Sequence, residues 1–330
     1  MAFLQTNIEA RLITDTLTKS GTLLQCIIGD ILRNIPVGFA HHKEKQECIS
    51  ADEALNNIEK YRFAENLIPE IEDSYYQVGT LVGENHFIEL QQDDEGYVCI
   101  MLHSGSRHLG HRICSHFHAV ARELNAKWYS SVPDEYQLAF LPADTEEGKA
   151  YINYMNLALS FAKENREKMM NKVKEIFTRW CEKVLNMTPE YSNFINCHHN
   201  YAAIENHYGK NVWVHRKGAI RARKGDTGII PGAMSSKSYI VLEKGCEESF
   251  HSCSHGAGRR LSRTKDKEIY SVDEVMLDLK ETGVVLGKHN KSDVAEECRF
   301  SYKDIDEVIA NERDLVEVIK RLSTLGGVKG

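Results

Sequence analysis

The sequence predicts an α+β fold organised as a single compact domain over 1–330, and three observations carry that expectation. Short apolar runs bounded by Gly, Asp or Ser occur at 86–90, 97–102, 212–215 and 238–242, with the lengths and borders of strands. Longer stretches place apolar residues at helical spacing. The 330 residues contain no repeat and no low-complexity linker, and they suffice for a substantial core.

Taken in order, 15–33 and 52–68 read as amphipathic helices. The runs at 86–90 and 97–102 follow as strands, and a Gly/Ser turn after His103 leads into an apparent helix from Leu109. Residues 145–186 then carry Tyr151, Tyr154, Met155, Ala158, Phe161 and Ala162, followed by Met169, Val173, Ile176, Phe177, Trp180 and Val184. That spacing predicts one long helix or two in series, inserted between strands that bear the polar motifs. Met169 and Met170 read as core. Strands at 212–215 and 238–242 complete a set expected to form mixed or antiparallel sheets.

Composition narrows the function classes. No window approaches the roughly 18 apolar residues that span a bilayer, and the start lacks the basic-then-apolar layout of a signal peptide. Nine cysteines without a CxxC pair argue against a disulfide framework and a Cys-rich zinc site, and suit a reduced cytoplasm. A net charge of −7 argues against a nucleic-acid partner at first sight, yet 215–224 and 259–267 are locally basic. Those two segments suit solvated loops or phosphate contacts.

Histidine placement is more specific. Twelve of the fifteen fall between His86 and His255, several beside Gly, Ser and Asn. Neutral imidazole is a metal ligand, and near neutral pH also a nucleophile. His103 ends a strand before Ser-Gly-Ser-Arg107, a turn whose free N–H groups and guanidinium suit an anion. In Asn85-His86-Phe87-Ile88-Glu89, alternation puts Asn85, Phe87 and Glu89 on one face, so His86 reaches them only if the strand end twists. His198 and His199 diverge in extended chain, so at most one of them ligates a given ion. His108, His111, His116 and His118 read as surface or hydrogen-bonded residues. The loop Pro231-Gly232-Ala233-Met234-Ser235-Ser236-Lys237-Ser238 lets backbone approach a ligand. His255-Gly256-Ala257-Gly258-Arg259-Arg260 gives a histidine open approach, with cations following, as attack on phosphorus requires. His251 reads as a partner that orients His255. These residues together point to a histidine-built metal centre that handles phosphate.

NHFIE, HSGSR-x-LGH, CHHNYA, HRKGAIRA, PGAMSSKSY, SHGAGRRLSR and the closing VKG, in this order, resemble the RtcB family of RNA-splicing ligases along the whole chain. The resemblance implies ligation driven by GTP and two Mn2+ ions. A histidine takes GMP from GTP and passes it to an RNA 3′-phosphate, which can arise from a 2′,3′-cyclic phosphate, and a 5′-hydroxyl then displaces it. It implies broken RNA such as tRNA halves as substrate, Archease as a companion, a monomer, and tRNA splicing or RNA repair in the cytoplasm as the setting. Matched residue by residue, it makes His255 the nucleophile and His86, His103 and His199 the metal ligands. It makes Asn85, Glu89, Pro231, Ala233, Ser235, Ser238, Ala257, Gly258 and Lys329 GTP contacts. Arg107, Arg216, Lys217 and Arg259 are then expected at phosphate or RNA.

Two departures qualify the match. The family's upstream Asp-x-Gly-Cys-Gly-Met segment, whose Asp and Cys ligate metal, has only its closing Met here. The expectation is a start codon placed too late, favoured because every downstream motif is intact, or a truncated copy. Glu84 also stands where the family has a Gly-rich run, and its carboxylate is expected to perturb phosphate or to ligate weakly. The competing classes are a metal-dependent phosphodiesterase, which needs no GTP, and a nucleotide- or RNA-binding pseudo-ligase, which binds without labelling.

Overall fold

Alternation along the extended segments sorts their side chains onto two faces, and that sorting builds the central sheet of this computed structural model. The structure describes residues 1–83, 85–290 and 294–330, with the side chains of Arg263, Lys267 and Glu296 outside the description. The expected carboxylate of Glu84 therefore lies outside the described residues.

The fold is α+β. Its main sheet runs Thr227–Ile230, Lys237–Glu243, Val316–Lys329, Phe87–Asp93, Tyr97–His103, Ala2–Glu9 and Tyr191–Asn196, each antiparallel to the next. Val285–Gly287 pairs parallel with Val316–Lys329 and makes the sheet mixed. The chain divides into two compact units, Met1–Phe39 with Leu81–His103 and Met169–Gly330, and Ala40–Thr80 with Ser104–Lys168.

In the first unit, Ala2, Leu4, Ile88, Leu90, Val98, Ile100 and Leu102 point to one side of the sheet. They meet Leu23, Ile27 and Ile31 together with Met169, Val173, Ile176 and Phe177. Phe3, Phe87, Cys99, Met101 and Leu322 point to the other side and meet Ile220, Ala222, Ile229, Cys253 and Ala257. Each such side chain, fully buried, contributes about 1.5–3 kcal/mol. The second face carries the candidate site.

Three of the four expected strands appear within Tyr97–His103, Lys210–Lys217 and Lys237–Glu243, and the one expected over 86–90 begins one residue later, as Phe87–Asp93. The apolar stretch 145–186 forms one helix, Glu146–Leu185. Two expected helices need correction. Within 15–33, helix starts only at Leu23, because Leu17–Thr18 and Gly21–Thr22 pair as a short hairpin. Thr22 then closes a capping box: its Oγ1 accepts from Gln25 N at 3.2 Å, and its N donates to Gln25 Oε1 at 3.0 Å. The stretch 52–68 breaks into Ile49–Asn56 and the 3-10 segment Ile58–Leu67, since Asn57 and Ala64 leave helical geometry. Ala2–Glu9 and Val316–Lys329 were not expected as strands; interspersed Gln, Asn, Lys, Arg and Gly weaken their apolar signal.

The second unit has its own core of Tyr61, Leu67, Ile71, Ile113, Phe117, Tyr154 and Phe161. Tyr154 Oη donates to the carbonyls of Tyr61 and Ala64 at 2.9 and 2.8 Å, which settles the irregular segment. Glu164 caps Ile49–Asn56 from a distance, accepting from Ile49 N and Ser50 N at 2.8 and 2.9 Å. No helix among the described residues is long and apolar enough to cross a membrane.

The hairpin Asn200–His207 with Lys210–Lys217 anchors the approach to His255. Arg216 is buried, and its guanidinium donates to Glu205 at 2.6 and 2.9 Å. It also bonds Ser252 Oγ at 3.0 Å and the carbonyls of Phe250 and His251 at 2.9 and 3.3 Å. Phe250 and His251 have φ of +53° and +48°, conformations that cost non-glycine residues about 1 kcal/mol or more each. The Arg216 bonds hold that strained turn directly before strand Ser252–Ser254. The pair also keeps the Glu205 carboxyl down at about 2, through the Arg216 hydrogen bond first.

Two predictions follow from these buried charges. Arg216→Ala leaves Glu205 buried without its cation and lowers stability by about 3–5 kcal/mol. The paired change Glu205→Gln with Arg216→Met loses less, and denaturant titration of both variants checks the difference. Glu243 is buried at the end of Lys237–Glu243, its Oε2 has no hydrogen-bond partner, and burial followed by Asp226 pushes its carboxyl up to about 8. Folding therefore takes up a proton between the ordinary value of 4.5 and about 8, and stability falls as pH rises through that window. Glu243→Gln flattens the decline, gaining on the order of 3 kcal/mol at pH 8 and nothing at pH 4; melting curves across pH measure it.

Candidate active site

Register brings the site together. Phe87 pairs with His103 on one side and with Lys329 on the other, so three strands deliver their functional ends to one row. Period two places Phe87, Glu89 and Gln91 on the same face as Cys99, Met101 and His103. His86 lies just before the regular strand, which begins at Phe87. Freed from the alternation, its ring sits 4.9 Å from that of His103, and its Nδ1 lies 2.8 Å from the Gly83 carbonyl oxygen.

His199 follows Tyr191–Asn196, and its Nε2 lies 3.1 Å from His103 Nε2. His255 leaves Ser252–Ser254 and stacks on His199 at 5.0 Å and 29°, with its edge toward His103 at 6.4 Å. Four imidazoles thus gather from four separate segments. Burial, then the neighbouring imidazoles, holds His103 well below the usual histidine range. Burial also lowers His255, helped by Lys217, while a hydrogen bond with the Gly218 backbone works against it. Both rings are therefore neutral at neutral pH, the form that ligates or attacks.

Two nitrogens on one tetrahedral ion at about 2.05 Å stand about 3.3 Å apart, close to the His103–His199 separation. The imidazoles fit part of a coordination sphere for a divalent transition metal. Among the described residues, however, no three or more His, Cys, Asp or Glu groups close into a complete metal set.

Beside the histidines lies a buried polar cluster. Glu89 and Lys329 are both buried, and the Lys329 ammonium lies 4.9 Å over the Phe87 ring. Burial raises the Glu89 carboxyl; the Lys329 charge and hydrogen bonds from Gln91 and Thr324 oppose it. Gly327 makes this approach possible, because a Cβ there would stand 2.6 Å from Glu89 Cγ and 2.9 Å from the Ile88 carbonyl. Gln91 was missed in the sequence, although it shares Glu89's face two residues on. Its Nε2 donates to Glu89 Oε2 at 2.8 Å and Ser238 Oγ at 3.2 Å, and its buried Oε1 has no partner.

The 231–238 loop closes one side. Ser238 Oγ also accepts from Gly232 N at 3.2 Å, whereas Ser235 Oγ donates to Asp278 at 2.8 Å. Pro231 and Ala233 are buried, and the Pro231 carbonyl is 3.1 Å from the position a Cβ on Gly256 would take. Ala257 joins the sheet core, while Gly258, at φ +74°, faces open space. Asn85 stands half-buried in the turn before His86.

The expected phosphate contacts divide. Lys217 is exposed and close enough to His255 to depress it. Arg216 is committed to Glu205 and the Phe250–His251 turn. Arg259 pairs with Asp266 and Glu297, bonds the Tyr302 hydroxyl at 3.2 Å and lies over its ring. Both guanidiniums are engaged inside the protein rather than presented to solvent phosphate. Arg107 belongs to the second unit, at the start of Arg107–Lys127, where it bonds the Ala40 carbonyl and burial lowers it to about 10. His251, expected beside His255, rests instead against His207 at 4.9 Å. His198 turns to Tyr201. His108 and His116 bond Glu70 and Asn66, as surface residues do.

Comparison with known proteins identifies the family of this chain. The family model described as tRNA-splicing ligase RtcB matches residues 1–330. The chain is 41% identical over 259 residues to the RNA-splicing ligase RtcB of Escherichia coli (strain K12), covering 78% of this chain and 62% of that protein. It is 30% identical over 389 residues to the tRNA-splicing ligase RtcB of Methanococcus maripaludis, covering 98% and 80%. Against the Nanoarchaeum equitans tRNA-splicing ligase RtcB it is 34% identical over 293 residues, covering 77% and 60%. The chain thus spans about three fifths of the Escherichia coli and Nanoarchaeum relatives and four fifths of the Methanococcus one. By the full-length family match and these identities, the chain belongs to the RtcB family.

Proposed function

We propose that this protein joins RNA 3′-phosphate or 2′,3′-cyclic phosphate ends to 5′-hydroxyl ends, using GTP and Mn2+, in tRNA splicing or RNA repair. The observation that carries the reading is the stack of His255 on His199 beside His103, next to the buried Glu89–Gln91–Lys329 cluster. The names of its relatives as RNA-splicing ligases support it. Nine cysteines, all free, suit a reducing cytoplasm. A monomer assisted by Archease completes the proposal.

In this reading His86, His103 and His199 hold Mn2+, which supplies positive charge to the phosphates when bound. His255 attacks the α-phosphorus of GTP with a neutral ring nitrogen; an N–P bond forms, the bond to pyrophosphate breaks, and the imidazole proton leaves. The Gly218 bond fixes the ring, leaving one nitrogen for attack. Glu89 and Gln91 offer acceptors for guanine N–H groups, and Asn85, Ser238 and the buried backbone around Pro231 and Ala233 frame the base. Lys329 holds the Glu89 charge in place. Ala257 and Gly258 leave room at the phosphorus, and Lys217 faces its oxygens. Water first opens any cyclic end to the 3′-phosphate. An oxygen of that RNA phosphate then takes the GMP, breaking the N–P bond. The 5′-hydroxyl finally attacks the 3′-phosphorus, expels GMP and loses its proton.

Incubation with α-labelled GTP and Mn2+ tests the first step. The chain is expected to take up label, and His255→Ala to take up less than a hundredth as much. No label on the unaltered chain, or equal label on His255→Ala, rejects the reading.

A further inference from the structure

A cleft beside the candidate site has no role in the steps above. It encloses about 500 Å³ between Ser236, Arg260, Tyr270 and the segment from Arg299 to Ile305, a volume suited to a small ligand or one nucleotide. Two of its walls continue the site itself. Ser236 belongs to the 231–238 loop, and Arg260 follows Gly258 and Arg259. Backbone bonds tie the third wall to them: Lys303 N donates to the Gly258 carbonyl at 2.9 Å, and Arg260 N to the Ser301 carbonyl at 2.8 Å.

The lining combines flat rings with cations. Phe300 is 51% exposed. The Arg299 guanidinium lies 5.0 Å over it, and the Tyr270 ring stands 6.0 Å away, tilted by 34°. Asp278 holds Arg299 at 2.7 Å, which fixes the platform. The Arg260 and Lys303 side chains are exposed. Asp278 offsets Arg299, so among the described lining residues the exposed Arg260 and Lys303 stand against one carboxylate, Asp304, whose oxygen caps Ile305–Asn311 by accepting from Asp306 N at 2.9 Å. On a chain of net charge −7, this is a local reversal of sign.

We propose that the cleft is a subsite for single-stranded RNA adjoining the end to be joined, with a base stacked on Phe300 and Tyr270 and neighbouring phosphates held by Arg260 and Lys303. The inference rests on the ligase reading and extends it to a substrate contact. Aromatic faces between cations match the two chemistries of a single strand, whereas a duplex hides its base faces. Stacking is tolerant of sequence, as an enzyme that accepts broken ends requires.

Fluorescence anisotropy with a labelled single-stranded RNA of about 10 nucleotides ending in a 3′-phosphate provides the test. Phe300→Ala is expected to weaken binding about tenfold, the loss of one stacked base, and Phe300→Trp to restore it. Arg260→Ala with Lys303→Ala is expected to lower the salt slope by about 1.4, for two phosphates on a single strand. Unchanged binding in Phe300→Ala, or a loss that Phe300→Trp does not restore, overturns the proposal. GTP labelling of the same unaltered chain separates the two readings. Label together with RNA binding indifferent to the cleft variants removes the subsite and leaves the ligase; absence of both label and RNA binding removes both.

Discussion

One register row constrains the rest of this structure. Lys329, Phe87 and His103 stand opposite one another on adjacent strands. Because side chains alternate with period two, a slip of one residue in either pairing would put the two strands' polar side chains on opposite faces, sending Lys329, Glu89 or His103 to the aliphatic side of the sheet. Dense packing on that side, from Ile88, Leu90, Ile100 and Leu102 against the helices, makes the slip expensive. The same apolar alternation that buries the core thus aims the polar side chains. His86 escapes the rule by lying outside the strand, and for that reason it can turn toward His103.

Electrostatics divides the first unit into two working regions. Around the imidazoles, burial lowers His103 and His255 and keeps those two rings neutral and available. Around Arg216, burial does the opposite: charges persist because Glu205 and the guanidinium satisfy each other. That buried pair spends its hydrogen bonds on the Phe250–His251 turn, upstream of His255. A residue that reads as a phosphate contact from its basic neighbours serves here to hold the chain that carries His255.

Much of the fold and part of the site were legible in advance. Strands with compact apolar runs, such as 97–102, announce themselves because both faces are buried. Val316–Lys329 does not, since its outer positions carry Glu, Lys and Arg and its close approach to Glu89 uses glycines. The helix expected over 15–33 failed at its start because a hairpin and a capping box decide the boundary locally. Gln91 was missed although its spacing from Glu89 was visible; nothing in the sequence marked which polar residue of a strand would find a partner on another strand.

The sequence by itself determined the residue types and their local settings: histidines beside glycine, a His255 loop with small neighbours, strands and helices from periodicity. These are short-range properties, set by backbone sterics and by the spacing of apolar side chains. Only the tertiary structure decided which of the histidines meet and which cations remain exposed. It put His251 against His207 and His255 against His199, and it turned Arg216 and Arg259 inward to carboxylates. Those outcomes depend on register and on pairing between segments far apart in the chain, where burial requires each charge to find a partner, and no local pattern records which partner it finds.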